Sequence, residues 1–152
     1  MTLIYLVRHA QASHGDATDF HRELTAKGIE QSKDIGDWLR NNRLVPDVVI
    51  VSSSARTCQT LVHMAIDSRE VISDDAYNAT EDELLEIVRA CQGDSKSVMI
   101  IAHNPGISLL AMRCGYDREL RTGEVVVVES IGKLEDFDPE QAKVIHHHHP
   151  NV

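Results

Sequence analysis

Short apolar runs alternate with stretches of helical periodicity along the 152 residues. The run Thr2–Val7 is rich in strand formers and closes on Arg8-His9-Ala10. Pro46 breaks the chain before Asp47–Val51, a nearly unbroken β-branched run, and Val98–Ala102 is a third such run, closing on His103. Glu70–Ile72 reads as a short strand. Val125–Glu129 and Ala142–Ile145 read as late strands joined by an acidic turn region at Leu134–Asp138. Between these runs the period changes. Thr25 caps a predicted helix reaching about Asn42, with Ile35, Trp38 and Leu39 on one face. Ser54 precedes a predicted helix over 55–66. Thr80 and Glu83 form a capping box ahead of Leu84, Leu85, Ile87 and Val88. A last helix is expected from Pro105 to about Cys114.

Strands without polar alternation, separated by helices, predict a mostly parallel sheet covered on both faces. The expectation is an α/β fold, a three-layer αβα sandwich in a single domain over 1–152. Ligands of such sheets bind beyond the carboxyl ends of the strands. His9, Ser52–Arg56 and His103 all follow strand ends, so the three segments are predicted to converge on one edge of the sheet.

Composition narrows the function classes. Hydrophobic residues make up 42% and aromatic residues only 4%, so aliphatic side chains build the core. With 24 acidic and 15 basic residues the net charge is −9, which argues against binding nucleic acid or anionic membranes. A phosphate site on this body has to be a local positive spot. The three cysteines, Cys58, Cys91 and Cys114, form no CxxC pair, which suits a reducing compartment. No apolar run approaches transmembrane length, and Arg8 interrupts the N-terminal one, so a cytoplasmic protein without a signal peptide is expected.

Two histidines delivered by two strand ends, one beside an arginine, suit phosphoryl transfer. His9 is the candidate nucleophile: one imidazole nitrogen attacks phosphorus while the other donates to a carbonyl. Arg8 and Arg56 are candidate phosphate clamps, because guanidinium groups hold phosphoryl oxygens bidentately. His103 is a candidate donor to a phosphoryl oxygen, with Asn104-Pro105-Gly106 following at a helix start. Arg22 is placed at the mouth. Structural histidines at strand ends and surface arginines in ion pairs are the plain readings of the same residues. His146–His149 alternate across a strand, so four adjacent histidines do not make a compact metal site. An appended tag would end a chain, whereas Pro150-Asn151-Val152 follows. No cofactor and no metal are expected.

The motifs resemble those of the histidine phosphatase superfamily, the phosphoglycerate mutase-like fold. Leu6-Val7-Arg8-His9-Ala10 resembles its Arg-His-Gly/Ala signature. Arg22-Glu23-Leu24-Thr25-Ala26-Lys27-Gly28 is similar to its Arg-x-Leu-Thr-x-x-Gly segment, and Ser52–Thr60 to its Ser-x-x-x-Arg-x-x-x-Thr segment. Ala102-His103-Asn104-Pro105-Gly106 is similar to the second-histidine motif. The short length, the Asn-Pro-Gly after His103 and Tyr77-Asn78-Ala79 resemble the SixA-type branch of phosphohistidine phosphatases.

The resemblance implies that His9 becomes transiently phosphorylated, with Arg8, Arg56 and His103 completing the pocket, Arg22 as a further member and Asn104 among the phosphate-binding residues. One departure stands out. Many relatives carry a carboxylate general acid after the segment equivalent to Ala76–Thr80; here Asn78, Ala79 and Thr80 stand there, and Glu81 and Asp82 fit better as helix N-terminal charges. A phosphoramidate needs such an acid less than an ester does. The expected function is hydrolysis of protein phosphohistidine. The alternatives are a phosphatase for a small phosphorylated metabolite and a non-catalytic phosphate-binding module. The oligomeric state is left open.

Overall fold

A computed structural model describes residues 1–15, 18–91 and 93–152. Six strands form one sheet in the order β3-β2-β4-β1-β5-β6: β1 Thr2–Arg8, β2 Val48–Ser52, β3 Arg69–Ser73, β4 Ser97–Ala102, β5 Val125–Ser130 and β6 Lys143–His148. β1, β2, β3 and β4 pair in parallel, and β5 runs antiparallel to both β1 and β6. Four helices cover it: α1 Ala26–Asn41, α2 Ala55–Met64, α3 Glu81–Arg89 and α4 Gly106–Arg113. The predicted three-layer α/β architecture is therefore observed.

The period of two along β1 divides the core. Ile4 and Leu6 pack with Leu84, Leu85, Ile107 and Leu110 of α3 and α4. Tyr5 and Val7 pack with Ile35, Leu39, Leu61 and Met64 of α1 and α2. Thr25 caps α1 by accepting from the Gly28 backbone N–H, and the Thr80–Glu83 capping box opens α3.

Two boundaries differ by two residues or more from the sequence expectation. α2 stops at Met64 rather than at 66, because Ala65 turns left-handed (φ 52°) and Arg40 donates to the carbonyls of Met64 and Ala65. β6 extends past Ile145 through His148, because the histidine side chains find partners on both faces. His148 stacks on Trp38 at 4.8 Å and meets Asp34 at 2.6 Å, His146 meets the Trp38 edge at 6.4 Å, and His147 approaches Tyr116 at 5.9 Å. Among the described residues no helix is long and apolar enough to cross a membrane, and no three metal-ligating side chains converge.

The topology positions the site. β1 and β4 are neighbours, but α1 leaves from β1 to one face of the sheet and α4 leaves from β4 to the other. Their loops separate and leave a crevice at the carboxyl edge, the ligand position in open α/β sheets. Register completes the placement. Arg8 pairs with Ala102, so His9 and His103 each emerge one residue beyond the same rung.

Candidate active site

His9 is held from both sides of its backbone. Its N–H donates to the Ala102 carbonyl at 3.2 Å, and its own carbonyl accepts from Gly123 N–H at 2.9 Å. The next residue is tied to α2, where Thr60 Oγ1 accepts from Ala10 N–H at 3.0 Å and donates to the Arg56 carbonyl at 2.7 Å. The threonine of the Ser52–Thr60 segment thus couples the His9 turn to the helix carrying Arg56.

The His9 ring is 2.7 Å from the Ala10 carbonyl at Nδ1. A carbonyl only accepts, so Nδ1 carries the proton and Nε2 keeps its lone pair. Arg56 Nε donates to that Nε2 at 3.3 Å. His9 is 7% exposed, and burial pushes its pKa down to about 3, with His103, Arg56 and Arg8 adding repulsion. The imidazole is therefore a neutral, oriented base at ordinary pH.

His103 lies 5.4 Å from His9, centroid to centroid. Its Nε2 pairs with Ser52 Oγ at 2.8 Å, and burial, with Arg56 second, lowers its pKa to about 4. Arg8 donates through Nη1 to the Leu120 carbonyl at 3.1 Å. Arg8 Nε and His103 Nδ1 are buried without a hydrogen-bond partner. Buried polar nitrogens of this kind are costly unless a ligand completes them. Arg8 and Arg56 also place positive charge close to the His9 and His103 rings, an arrangement suited to an oxyanion such as a phosphoryl group.

Of the residues singled out in the sequence, Arg8, His9, Arg56 and His103 come together. Arg22 lies one carboxylate away: its Nη1 pairs with Asp19 Oδ1 at 3.1 Å and its Nε donates to the Ser13 carbonyl at 2.7 Å. The Asn104 side chain is engaged with its own loop. Its amide donates to Glu119 Oε1 and the Leu120 carbonyl, and its Oδ1 accepts from Ser108. With both amide hydrogens committed, Asn104 braces the loop that also receives Arg8. Glu81, Asp82 and Glu83 sit in the first turn of α3, as expected of helix N-terminal charges.

Asp19 escaped the sequence reading. Its Oδ2 accepts from Arg56 Nη2 at 3.1 Å and from the Tyr77 hydroxyl at 2.5 Å, while its carbonyl accepts from Arg56 Nη1 at 2.7 Å. The Tyr77 hydroxyl, joined by Arg22 and Arg56, holds its carboxyl far below the usual carboxylate range. The Asp19–Arg22 spacing of three was a visible hint of an ion pair. Nothing local signalled Tyr77, 58 residues away.

Fold and site together define an α/β phosphatase whose chemistry runs on histidine. Residues 4–78 match the model of the histidine phosphatase superfamily, branch 1. The structure of a protein assigned as phosphohistidine phosphatase SixA from Nakamurella multipartitia superposes with a TM-score of 0.88 at 28% identity, covering 99% of this chain and 97% of that one. Protein Rv1276c of Mycobacterium tuberculosis is 27% identical over 157 residues, 95% of this chain and 99% of its own length. Phosphohistidine phosphatase SixA of Escherichia coli is 33% identical over 58 residues, 38% of this chain and 36% of its own. This chain belongs to the histidine phosphatase superfamily, in its SixA-type branch.

Proposed function

We propose that this protein hydrolyses phosphohistidine on other proteins, through a phosphohistidine on His9, acting in the cytoplasm as one domain over 1–152. The observation that carries the reading is the His9 tautomer. Nδ1–H on the Ala10 carbonyl leaves Nε2 as a lone pair that accepts from Arg56 Nε, while Arg8 Nε and His103 Nδ1 stay buried without partners. His9 Nε2 attacks phosphorus in line. The phosphorus–nitrogen bond to the substrate breaks, and its electron pair stays on the departing imidazole. Arg8, Arg56 and His103 hold the three oxygens as charge redistributes, and Arg22 keeps Asp19 in register with Arg56. Water then attacks the same phosphorus from the vacated side, releasing phosphate and restoring neutral His9.

What favours phosphohistidine over phosphate esters is the state of the carboxyl that, among the described residues, bonds to Arg56. Asp19 is the carboxylate bonded to Arg56, and it is ionised. An alkoxide leaving group needs a proton that this carboxylate does not hold.

The test is intact-protein mass after rapid quenching against a histidine-phosphorylated protein, with a sugar phosphate in parallel. The expected result is a phosphoryl adduct on the wild type, absent in His9→Ala, that forms faster from the phosphohistidine donor. An adduct from the sugar phosphate alone would replace the substrate assignment with a small metabolite. Undiminished phosphate release by His9→Ala would remove His9 from the chemistry.

A further inference from the structure

The phosphoryl pocket uses Arg8, His9, Arg56 and His103, but it does not explain the arrangement around Asp19. Arg56 spans the two regions, with Nε on His9 Nε2 at 3.3 Å and Nη2 on Asp19 Oδ2 at 3.1 Å. The carboxylate therefore lies one guanidinium width from the attacking nitrogen. It lies on the outer side: the Asp19 side chain is 51% exposed and that of Arg56 is 6%. In-line displacement puts the leaving group on the side of phosphorus away from the nucleophile, toward this mouth.

Aromatic rings flank the same spot. Phe20 meets Tyr77 edge to face at 5.1 Å, and Tyr77 meets His103 edge to face at 5.5 Å. Phe20 and Tyr77 are both half-buried, so each keeps some ring surface at the mouth. The carboxylate also has capacity to spare. An ionised carboxylate offers about four acceptor positions. Oδ2 receives Arg56 and Tyr77, while Oδ1 receives Arg22, which leaves one position on Oδ1.

We propose that Asp19, beside the paired rings of Phe20 and Tyr77, is a leaving-group subsite whose carboxylate accepts the N–H of the substrate's phosphorylated imidazole at the nitrogen remote from phosphorus. The proposal rests on the phosphohistidine reading above. A phosphorylated imidazole without that second proton has to depart as an anion. With the proton in place, cleavage returns the electron pair to the ring nitrogen and the imidazole leaves neutral. No proton moves during the step, and Asp19 stays ionised throughout. The carboxylate stabilises the protonated ring and so enriches the reactive form of the bound substrate. An alcohol leaving group has no remote N–H to offer, so the same contact discriminates between nitrogen-linked and oxygen-linked phosphate.

The groups facing Asp19 are Arg22 on its own loop, Arg56 of α2 and Tyr77 from the β3–α3 connection, with His103 beyond Tyr77. The test compares wild type, Asp19→Asn and Asp19→Glu. It measures the single-turnover rate of His9 phosphorylation at saturating donor, using a histidine-phosphorylated peptide and para-nitrophenyl phosphate. Nitrophenolate leaves without a proton and serves as the reference. Asp19→Asn is expected to slow phosphorylation by the peptide at least about ten-fold more than phosphorylation by the ester. It should also move the alkaline limb of the peptide's rate profile down by about one pH unit, because the neighbouring negative charge that raised the ring's pKa is gone. Asp19→Glu should restore part of both effects. Equal losses on both donors with an unmoved pH profile would overturn the subsite and leave Asp19 as an orienting partner of Arg56. A wild type phosphorylated only by the ester would overturn the phosphohistidine reading and the subsite together.

Discussion

Two contacts decide what His9 is able to do. The Ala10 carbonyl at 2.7 Å takes the Nδ1 proton and Arg56 Nε donates to Nε2 at 3.3 Å, so both leave Nε2 as the basic nitrogen of the ring. The same burial that keeps the ring neutral makes Arg56 informative as a variant. Arg56→Ala removes a guanidinium that bonds His9, the Asp19 carbonyl and the Asp19 carboxylate. Turnover should fall about 10²- to 10³-fold, the usual loss for a donor aimed at transition-state charge. Stability should change much less, because the cost of desolvating Arg56 disappears along with its bonds. Full activity with an unchanged melting temperature would take Arg56 out of the site. Arg8, His9, Arg56 and His103 were legible in the sequence because each lies at or just after a strand end. Asp19 and Tyr77 were not, because their meaning is a contact between two loops.

At the scale of elements, the site depends on how closely two helices approach each other and β1. A Cβ on Gly36 of α1 would lie 2.0 Å from the Met64 carbonyl at the end of α2. Backbone cannot yield cheaply there, so Gly36→Ala should cost about 1–3 kcal/mol, read as a lower denaturant midpoint at constant m-value. Thr60→Val is the complementary test. It keeps the side-chain shape but leaves the buried Ala10 N–H without its 3.0 Å acceptor. The expected cost is about 1–3 kcal/mol. Turnover should drop as well, because the His9–Ala10 turn loses its tie to the helix of Arg56. A Thr60→Val enzyme with wild-type turnover would show that this tie does not hold the nucleophile. The helices, their caps and the apolar strands were readable from periodicity. The end of α2 was not, since Arg40 of another helix terminates it.

For the whole molecule, the two buried histidines couple the site to stability. In the unfolded chain both titrate near 6.5, whereas in the fold they titrate near 3 and 4. Between those values the unfolded chain binds more protons, so stability rises with pH through this window and is lost on acidification from about 6.5. Each histidine contributes a slope of up to about 1.4 kcal/mol per pH unit there. Chemical denaturation at a series of acid pH values should show this slope, and His103→Gln should reduce it. A slope unchanged by that substitution would mean that other groups govern the acid transition. By itself, the sequence determined the alternation of strand and helix, the covered, mostly parallel sheet and the placement of the four central residues at or after strand ends. These follow from local preferences and from which faces have to be buried. Only the tertiary structure decided that β1 and β4 are neighbours whose helices depart to opposite faces, which opens the crevice. It also decided that Asn104 braces a loop and that Asp19 meets Arg56 and Tyr77. Those outcomes depend on strand order, register and the distance between loops, which no local pattern of residues encodes.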